Sequence, residues 1–222
     1  MTNSSNTPAR GAPLNRVERR KAQTRKKLID AARAMLANDT AAQASIQEIT
    51  ETADVGFGSF YNHFSSKAEL FEAAVTDVLE ELGELFDQLS VEVEDAALSF
   101  AQSVRLTLRL CRSRPEISAV LIRHGMDYME SERGLAPRSL RDIKAGMAAG
   151  RFRMAEPRLA RAAVAGALLA TLQLALTDPE LVDDAACDQL AEQLLRLLGL
   201  PFDAAYALAH APLPVAELPG PS

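Results

Sequence analysis

Apolar residues return along this chain at helical spacing almost throughout. Leu28, Ile29, Ala32, Met35 and Leu36 fall at i, i+1, i+4, i+7 and i+8, one stripe of a helix whose first half carries Arg19, Arg20, Lys21, Arg25, Lys26 and Lys27. Asn38-Asp39 predicts its end. Ser45-Ile46-Gln47-Glu48 and Ser66-Lys67-Ala68-Glu69 have the capping-box form, in which a hydroxyl caps the third helical amide and a Glu reaches back to the cap, so helices begin near residues 46 and 67. Between them the pattern predicts a helix to about Ala53, a tight turn at Asp54-Val55-Gly56, and a second short helix from Phe57 to His63. Two helices joined by three residues that include Gly form a helix-turn-helix unit.

From Lys67 a long amphipathic helix carries Phe71, Ala74, Val78, Leu82, Leu85 and Leu89 on one side. Further helices are predicted over residues 95–112, 115–124, 125–148, 157–176 and 184–198. Their boundaries fall at Arg114-Pro115, Gly150, Glu156-Pro157 and Asp178-Pro179, because Pro starts helices readily and Gly ends them. Residues 1–15, polar and small apart from Arg10, predict a disordered arm. The tail over residues 200–222 holds five of the eleven prolines and predicts irregular structure. The expected organisation is therefore all-α, with a small three-helix domain over residues 16–66 and a larger helical domain over 67–199.

Composition agrees with helices: 48% of the residues are apolar, only 5% are aromatic and Trp is absent. Charge changes the picture more. Up to Arg33 there are nine Lys/Arg against two acids, whereas from Phe71 onward there are fourteen against twenty-three. A chain of net charge −6 whose positive charge gathers at one end predicts a small anion-binding head on a body with another task. Cys111 and Cys187 sit inside apolar helical patterns as small hydrophobes, which suits a reducing cytoplasm. Met1–Pro13 has no apolar run of the kind an export signal needs. The stretch Ala162–Leu176 is broken by Gly166, Thr171 and Gln173, is too short to span a bilayer, and predicts a buried helix.

Five of the eleven Phe/Tyr residues fall between Phe57 and Phe71. Phe60 and Phe64, four apart, suit a miniature core closed against Leu28, Ile46 and Ile49. Phe57, Gly58, Ser59, Tyr61, Asn62 and His63 then point mostly elsewhere. A face of small, amide, phenol and imidazole groups packs poorly against protein and suits a DNA groove, where exposed amides and polar side chains meet phosphates and base edges. Lys67, in the first turn of the next helix, opposes the helix dipole at a cost that a bound phosphate would offset.

The stretch S-I-Q-E-I-T-E-T-A-D-V-G-F-G-S-F-Y-N-H-F-S-S-K-A-E-L, Ser45 to Leu70, resembles the helix-turn-helix signature of the TetR family of transcriptional regulators. The resemblance covers about fifty residues at the head, from Arg20 to Leu70. Two positions depart from the usual pattern: Asp54 stands where the turn commonly has Gly, and Gly56 where Ser or Thr commonly caps the recognition helix. The resemblance implies that Phe57, Gly58 and Ser59 lie nearest the bases, with Asn62 on the same face. It implies that Tyr61, His63 and Lys67 hold the backbone, and that Ser45, Arg25 and the segment from Arg16 to Lys21 add phosphate or minor-groove contacts. It also implies a homodimer whose two recognition helices sit roughly 34–36 Å apart on a near-palindrome.

In the body, the helix over 157–176 is apolar nearly all round and must be covered on all sides. With the 184–198 helix it would form a four-helix bundle across a two-fold axis, through Ala163, Gly166, Ala167, Ala170, Leu190, Leu194 and Leu197; the alternative is an intrachain core. Phe100, Val104, Leu108, Leu121, His124, Met126, Tyr128, Met129 and Phe152 are candidates to line a small-molecule cavity, with plain core as the alternative. Arg105 and Arg123 would anchor an acidic ligand, or lie on helix surfaces. The three histidines belong to three segments without metal-ligand spacing, and no phosphate loop follows a strand, so no enzyme, metal or cofactor is expected. The expected function is a cytoplasmic, homodimeric repressor released from a palindromic operator by a small lipophilic ligand. The rivals are a nucleoid-type DNA binder without sequence preference and a helical small-molecule binder or enzyme unrelated to DNA.

Overall fold

The computed structural model describes residues 15–38, 40–91 and 93–214, and the described residues form ten α-helices with no strand. Nearly all of the arm expected over residues 1–15, with Arg10, lies outside the described residues, as do the last eight residues of the tail and Asp39. The head consists of α1 (Arg16–Ala37), α2 (Ile46–Thr52) and α3 (Phe57–Phe60); α4 (Lys67–Ser90) leads into the body. The body adds α5 (Ala96–Ser113), α6 (Pro115–His124), α7 (Leu135–Ala148), α8 (Pro157–Thr177), α9 (Asp184–Leu197) and α10 (Phe202–Ala209).

Local chemistry explains the starts. Asn15 and Glu18 close a reciprocal capping box on α1, and Ser45 and Glu48 close the one expected on α2. At α4 the arrangement differs by one residue: the Ser66 hydroxyl accepts from the Glu69 amide, but the Glu69 carboxylate takes the Ser65 amide at 2.7 Å and the Ser65 hydroxyl at 2.6 Å.

The core of the head is the one expected. Leu28, Ile49 and Phe60 are fully buried and Phe64 nearly so, with Ile46 packed against them. This core runs on without a break through Leu70, Ala74 and Val78 of α4 into Leu121 of α6. Polar ties reinforce that joint: Arg33 reaches Asp77 at 3.0 Å and Glu81 at 2.6 Å, and Arg123 donates to the Leu36 carbonyl at 3.0 Å. A second core gathers Phe100, Val104, Ile143, Val164, Leu194 and Leu198 from α5, α7, α8 and α9.

Four expectations need correction. The helix expected over 125–148 is broken: α6 stops at His124, turns follow, and α7 begins at Leu135. Gly134 marks where α7 restarts as its N-cap, with φ +81° and a place where an added Cβ would come within 2.8 Å of Leu79 on α4, a conformation and position that suit glycine. The tail contains a helix, α10, because Pro201 lies before it as the N-cap and Ala205 and Ala209 are fully buried on the body. α3 is shorter than expected and gives way to turns over residues 61–63. Finally, α8 is not covered on all sides by its own chain: Ala160, Arg161, Val164 and Leu172 are buried, while Leu159, Leu174 and Leu176 are exposed.

Candidate nucleic-acid interface and ligand cavity

The face of α3 is bare. Phe57 is 54% exposed and Tyr61 55%, Gly58 and Asn62 are exposed, and Ser59 and His63 are half-buried. The face is nonetheless held firmly, because Phe60 and Phe64 on its underside are sealed in the core. Gly56 supplies no side-chain cap, and a Cβ built at Gly58 would meet nothing within 4 Å, so the backbone here is thin and accessible. His63 is pushed below its ordinary value of 6.5 by partial burial and by the neighbouring Lys21 and Arg25, which leaves it neutral at pH 7.

Three of the expected backbone-holding residues carry structural duties as well. Lys67 donates to the carbonyls of Ala42 at 2.9 Å and Ala44 at 3.0 Å, and so fastens the loop before α2; these acceptors compensate its place at the start of α4. The Ser45 hydroxyl and amide both point to the Glu48 carboxylate. Arg25 lies over the Phe64 ring at 5.0 Å with its side chain exposed. In the turn, Asp54 adopts φ +51°, the conformation for which Gly is suited, and Lys27 pairs with its carboxylate at 3.0 Å.

In the body, α4, α5, α6, α7 and α8 enclose a cavity of about 160 Å³. Phe100, Val104, Leu121, Tyr128 and Met129 line it as the sequence suggested. Leu108 is fully buried in the first core, Phe152 stacks edge-on against Phe100 in the second, and neither His124 nor Met126 reaches the cavity. Burial and Arg123 hold His124 below its ordinary value, against the opposing pull of Asp127. Arg105 is not a ligand anchor: it is 4% exposed and donates to Asp188 at 2.7 Å and to the Ala211 carbonyl at 2.6 Å. Arg123, tied to Leu36, does not line the cavity either.

The polar wall is one the sequence did not disclose. Asp87, Arg138, Ser139, Asp142 and Arg161 line the cavity, with Ser103 and Thr107 of α5, among apolar walls that include Leu79, Leu168, Leu169 and Leu172. Arg138 donates to Glu80, Asp87 and the Gly134 carbonyl, and its guanidinium lies against Gly83 where any side chain would collide with it. Arg141 bridges Asp87 and Asp142 at 2.7 and 2.8 Å. Arg161 pairs with Glu130 at 2.7 Å. No residue spacing marks the charged lining groups in advance, because they come from three helices, α4, α7 and α8.

Residues 28–74 match the model of the bacterial regulatory proteins of the tetR family, and residues 95–211 match the tetracyclin repressor-like C-terminal domain. The chain belongs to the TetR family. Among solved structures, RolR without ligand is 32% identical, covers 85% of this chain and 98% of its own, and superposes with a TM-score of 0.69. RolR in complex with resorcinol is also 32% identical, covering 88% and 97% with a TM-score of 0.65. SmeT, the repressor of a Stenotrophomonas maltophilia multidrug efflux pump, shares the fold at 19% identity, covering 87% and 100% with a TM-score of 0.64. No curated protein matches closely enough to count as a relative.

Within this TetR-family chain, the residues expected at a dimer interface divide. Ala163 and Ala170 are exposed, Gly166 has open space beside it, and Leu197 is 42% exposed. Ala167 and Leu190 are half-buried against the second core. Leu194 is a correction: at 2% exposure it faces its own chain's core, because the buried side of α9 runs through Cys187, Ala191, Leu194 and Leu195.

Proposed function

We propose that this TetR-family protein is a homodimeric repressor that holds a near-palindromic operator through α3 and is released when a small, mostly apolar ligand fills the body cavity. The observation that carries the reading is the bare face of α3 beside the basic α1, rigidly backed and left uncovered by the described residues. The polar groups of this face are satisfied by water, the exposed Phe57 ring is not, and both gain contacts with phosphates and bases in a groove.

The dimer reading is supported by the uncovered strip of α8. Leu159, Ala163, Gly166, Ala170 and Leu174 fall on one side, with Leu197 of α9 also exposed. The stretch over 162–176 was expected to be too short to span a bilayer, but the whole of α8, which begins at Pro157, is long and apolar enough to do so by length and composition alone. An identical strip on a second chain would cover it equally well, and its small residues permit close approach.

The ligand reading rests on size and polarity. A cavity of roughly 150 Å³ takes a benzene ring, so about 160 Å³ suits a single-ring molecule. Apolar walls with a few polar groups at one side favour a ring bearing polar substituents, which is consistent with RolR binding resorcinol. Filling the cavity presses on α4, which lines it through Leu79, Phe86 and Asp87 and is rooted in the head by Leu70. Release would follow if the two heads then no longer matched the groove spacing.

The test begins with the full chain and random-sequence duplex DNA. Selection should enrich one near-palindrome, bound by a dimer and more tightly than bulk DNA at fixed salt. Millimolar resorcinol should raise the melting temperature of the protein and weaken the operator complex. Equal affinity for every duplex would overturn the repressor reading. An operator complex indifferent to resorcinol and to other single-ring phenols would overturn the ligand class alone.

A further inference from the structure

Phe57 is the one large apolar side chain that the head presents beside Tyr61 at its reading face, and it belongs to neither core. Nothing in the fold asks for a phenylalanine there. Its ring is also fixed in place. It meets the Tyr61 ring edge-on at 6.0 Å and 69°, and Tyr61 in turn meets the fully buried Phe60 edge-on at 5.3 Å and 79°. Such offset and edge-on pairs favour one geometry, so the aromatic relay braces an exposed ring against the core of the head.

Its surroundings are thin. Gly58 on one side has nothing within 4 Å of a built Cβ, and Gly56 on the other has only the Ser59 hydroxyl, at 3.7 Å. The ring therefore stands on a thin stretch of backbone, with Tyr61 as its ring neighbour and no hydrogen-bonding group of its own. The floor of the major groove offers mostly hydrogen-bond donors and acceptors, which a phenyl ring cannot use. Its one apolar feature is the 5-methyl group of thymine.

We propose that Phe57 selects a thymine in each operator half-site by apolar contact with that base's 5-methyl group. The proposal rests on the reading that α3 enters the major groove, and it names what one residue of that face recognises. Ser59 and Asn62, with hydrogen-bonding side chains, then read polar base edges or phosphates, and Phe57 supplies the contact that polar groups cannot.

The experiment replaces each thymine of the selected operator, one at a time, with uracil, which keeps the base pair and removes only the methyl group. For the full chain, one thymine per half-site should show about three- to fivefold weaker binding as uracil, the effect of withdrawing one methyl-sized group from apolar contact. Phe57→Ala should bind the parent operator more weakly and no longer distinguish thymine from uracil at that position. Phe57→Leu, which keeps an apolar side chain, should retain part of the discrimination. Circular dichroism on both variants checks that the exposed substitution leaves the head folded. Sequence-selective binding with no methyl-sensitive position, or methyl sensitivity that survives in Phe57→Ala, overturns this proposal and leaves the repressor reading standing. Failure to select any sequence overturns both.

Discussion

The head and the body treat polar side chains in opposite ways. In the head the core is apolar, and its one buried polar residue among those described, Thr50, donates its hydroxyl to the Gln47 carbonyl at 2.9 Å. Most of its cations and amides face water. In the body, arginines go inside. Arg105 and Arg161 are buried, and Arg138 is largely so, each tied to a carboxylate. A buried charge is costly unless paired, so such groups fix one arrangement of helices, whereas exposed ones remain free to exchange water for a partner. Exposure therefore marks the binding face in the head, and charge in the body marks architecture.

The strongest way to break this contrast is to remove the support under the reading face. Phe60→Ala should cost about 3–5 kcal/mol in denaturant unfolding, because a fully buried ring leaves a cavity, and should abolish DNA binding. A loss below ~1 kcal/mol would mean that the head is not rigidly backed. In the body, Asp188→Ala removes the carboxylate shared by Arg105 and Arg109, leaving Arg105 only the Ala211 carbonyl and Arg109 only Asp184 at 3.6 Å, and should cost about 3 kcal/mol. Pairing Asp188→Leu with Arg105→Met should recover much of that loss. Lys27→Ala, which deletes an exposed pair, should cost less than ~0.5 kcal/mol; equal losses at the two sites would erase the distinction.

Acid sharpens the same contrast. Hydrogen bonding from Arg138 holds the Glu80 carboxyl below its ordinary value of 4.5. A depressed carboxylate contributes stability that is present above the unfolded value and is lost as pH falls through the folded one. Unfolding free energy measured from roughly pH 5 downward should fall, and Glu80→Gln should flatten that decline. An unchanged acid limb would show that the Arg138 cluster is not a fixed part of the body.

A smaller effect concerns how the two regions communicate. Tyr128 lines the cavity and its hydroxyl donates to the Glu72 carbonyl, near the head end of α4, at 3.3 Å. Tyr128→Phe keeps the ring and removes that tie. It should reduce by about two- to fivefold the factor by which resorcinol, as probe, weakens operator binding. An unchanged factor would place the connection elsewhere. Smallest of all, Asp54→Gly relieves a left-handed residue and should raise stability by about 0.5 kcal/mol, since the Lys27 pair lost with it is exposed. A decrease would show that this pair organises the turn.

Much of the head was legible because its signals are local. A capping box spans four residues, and Phe60 and Phe64 share a face by helical spacing alone, so Ser45, Glu48 and the bare face of α3 follow from short stretches of chain. The structural duty of Lys67 was not legible, since its acceptors at Ala42 and Ala44 lie more than twenty positions away. In the body the lining residues divided for the same reason. Phe100 and Val104 reach the cavity while Leu108, on the same periodic stripe, lies in the other core, because neighbouring helices and not the stripe decide where a cavity falls. Arg105 looked available to a ligand until α9 brought Asp188 to it.

By itself the sequence determined that this chain is helical, that its basic charge sits on a helix-turn-helix head, and that Phe57, Gly58, Tyr61 and Asn62 of that head face outward. Those properties follow from periodicity, capping and charge, which act within a few turns of helix. Only the tertiary structure decided that the helix ends at His124 and restarts after Gly134, that α10 docks on the body, and that Asp87, Arg138, Asp142 and Arg161 meet around one cavity. Those outcomes depend on which helices lie side by side, and contacts between residues far apart in the chain leave no periodic trace in it.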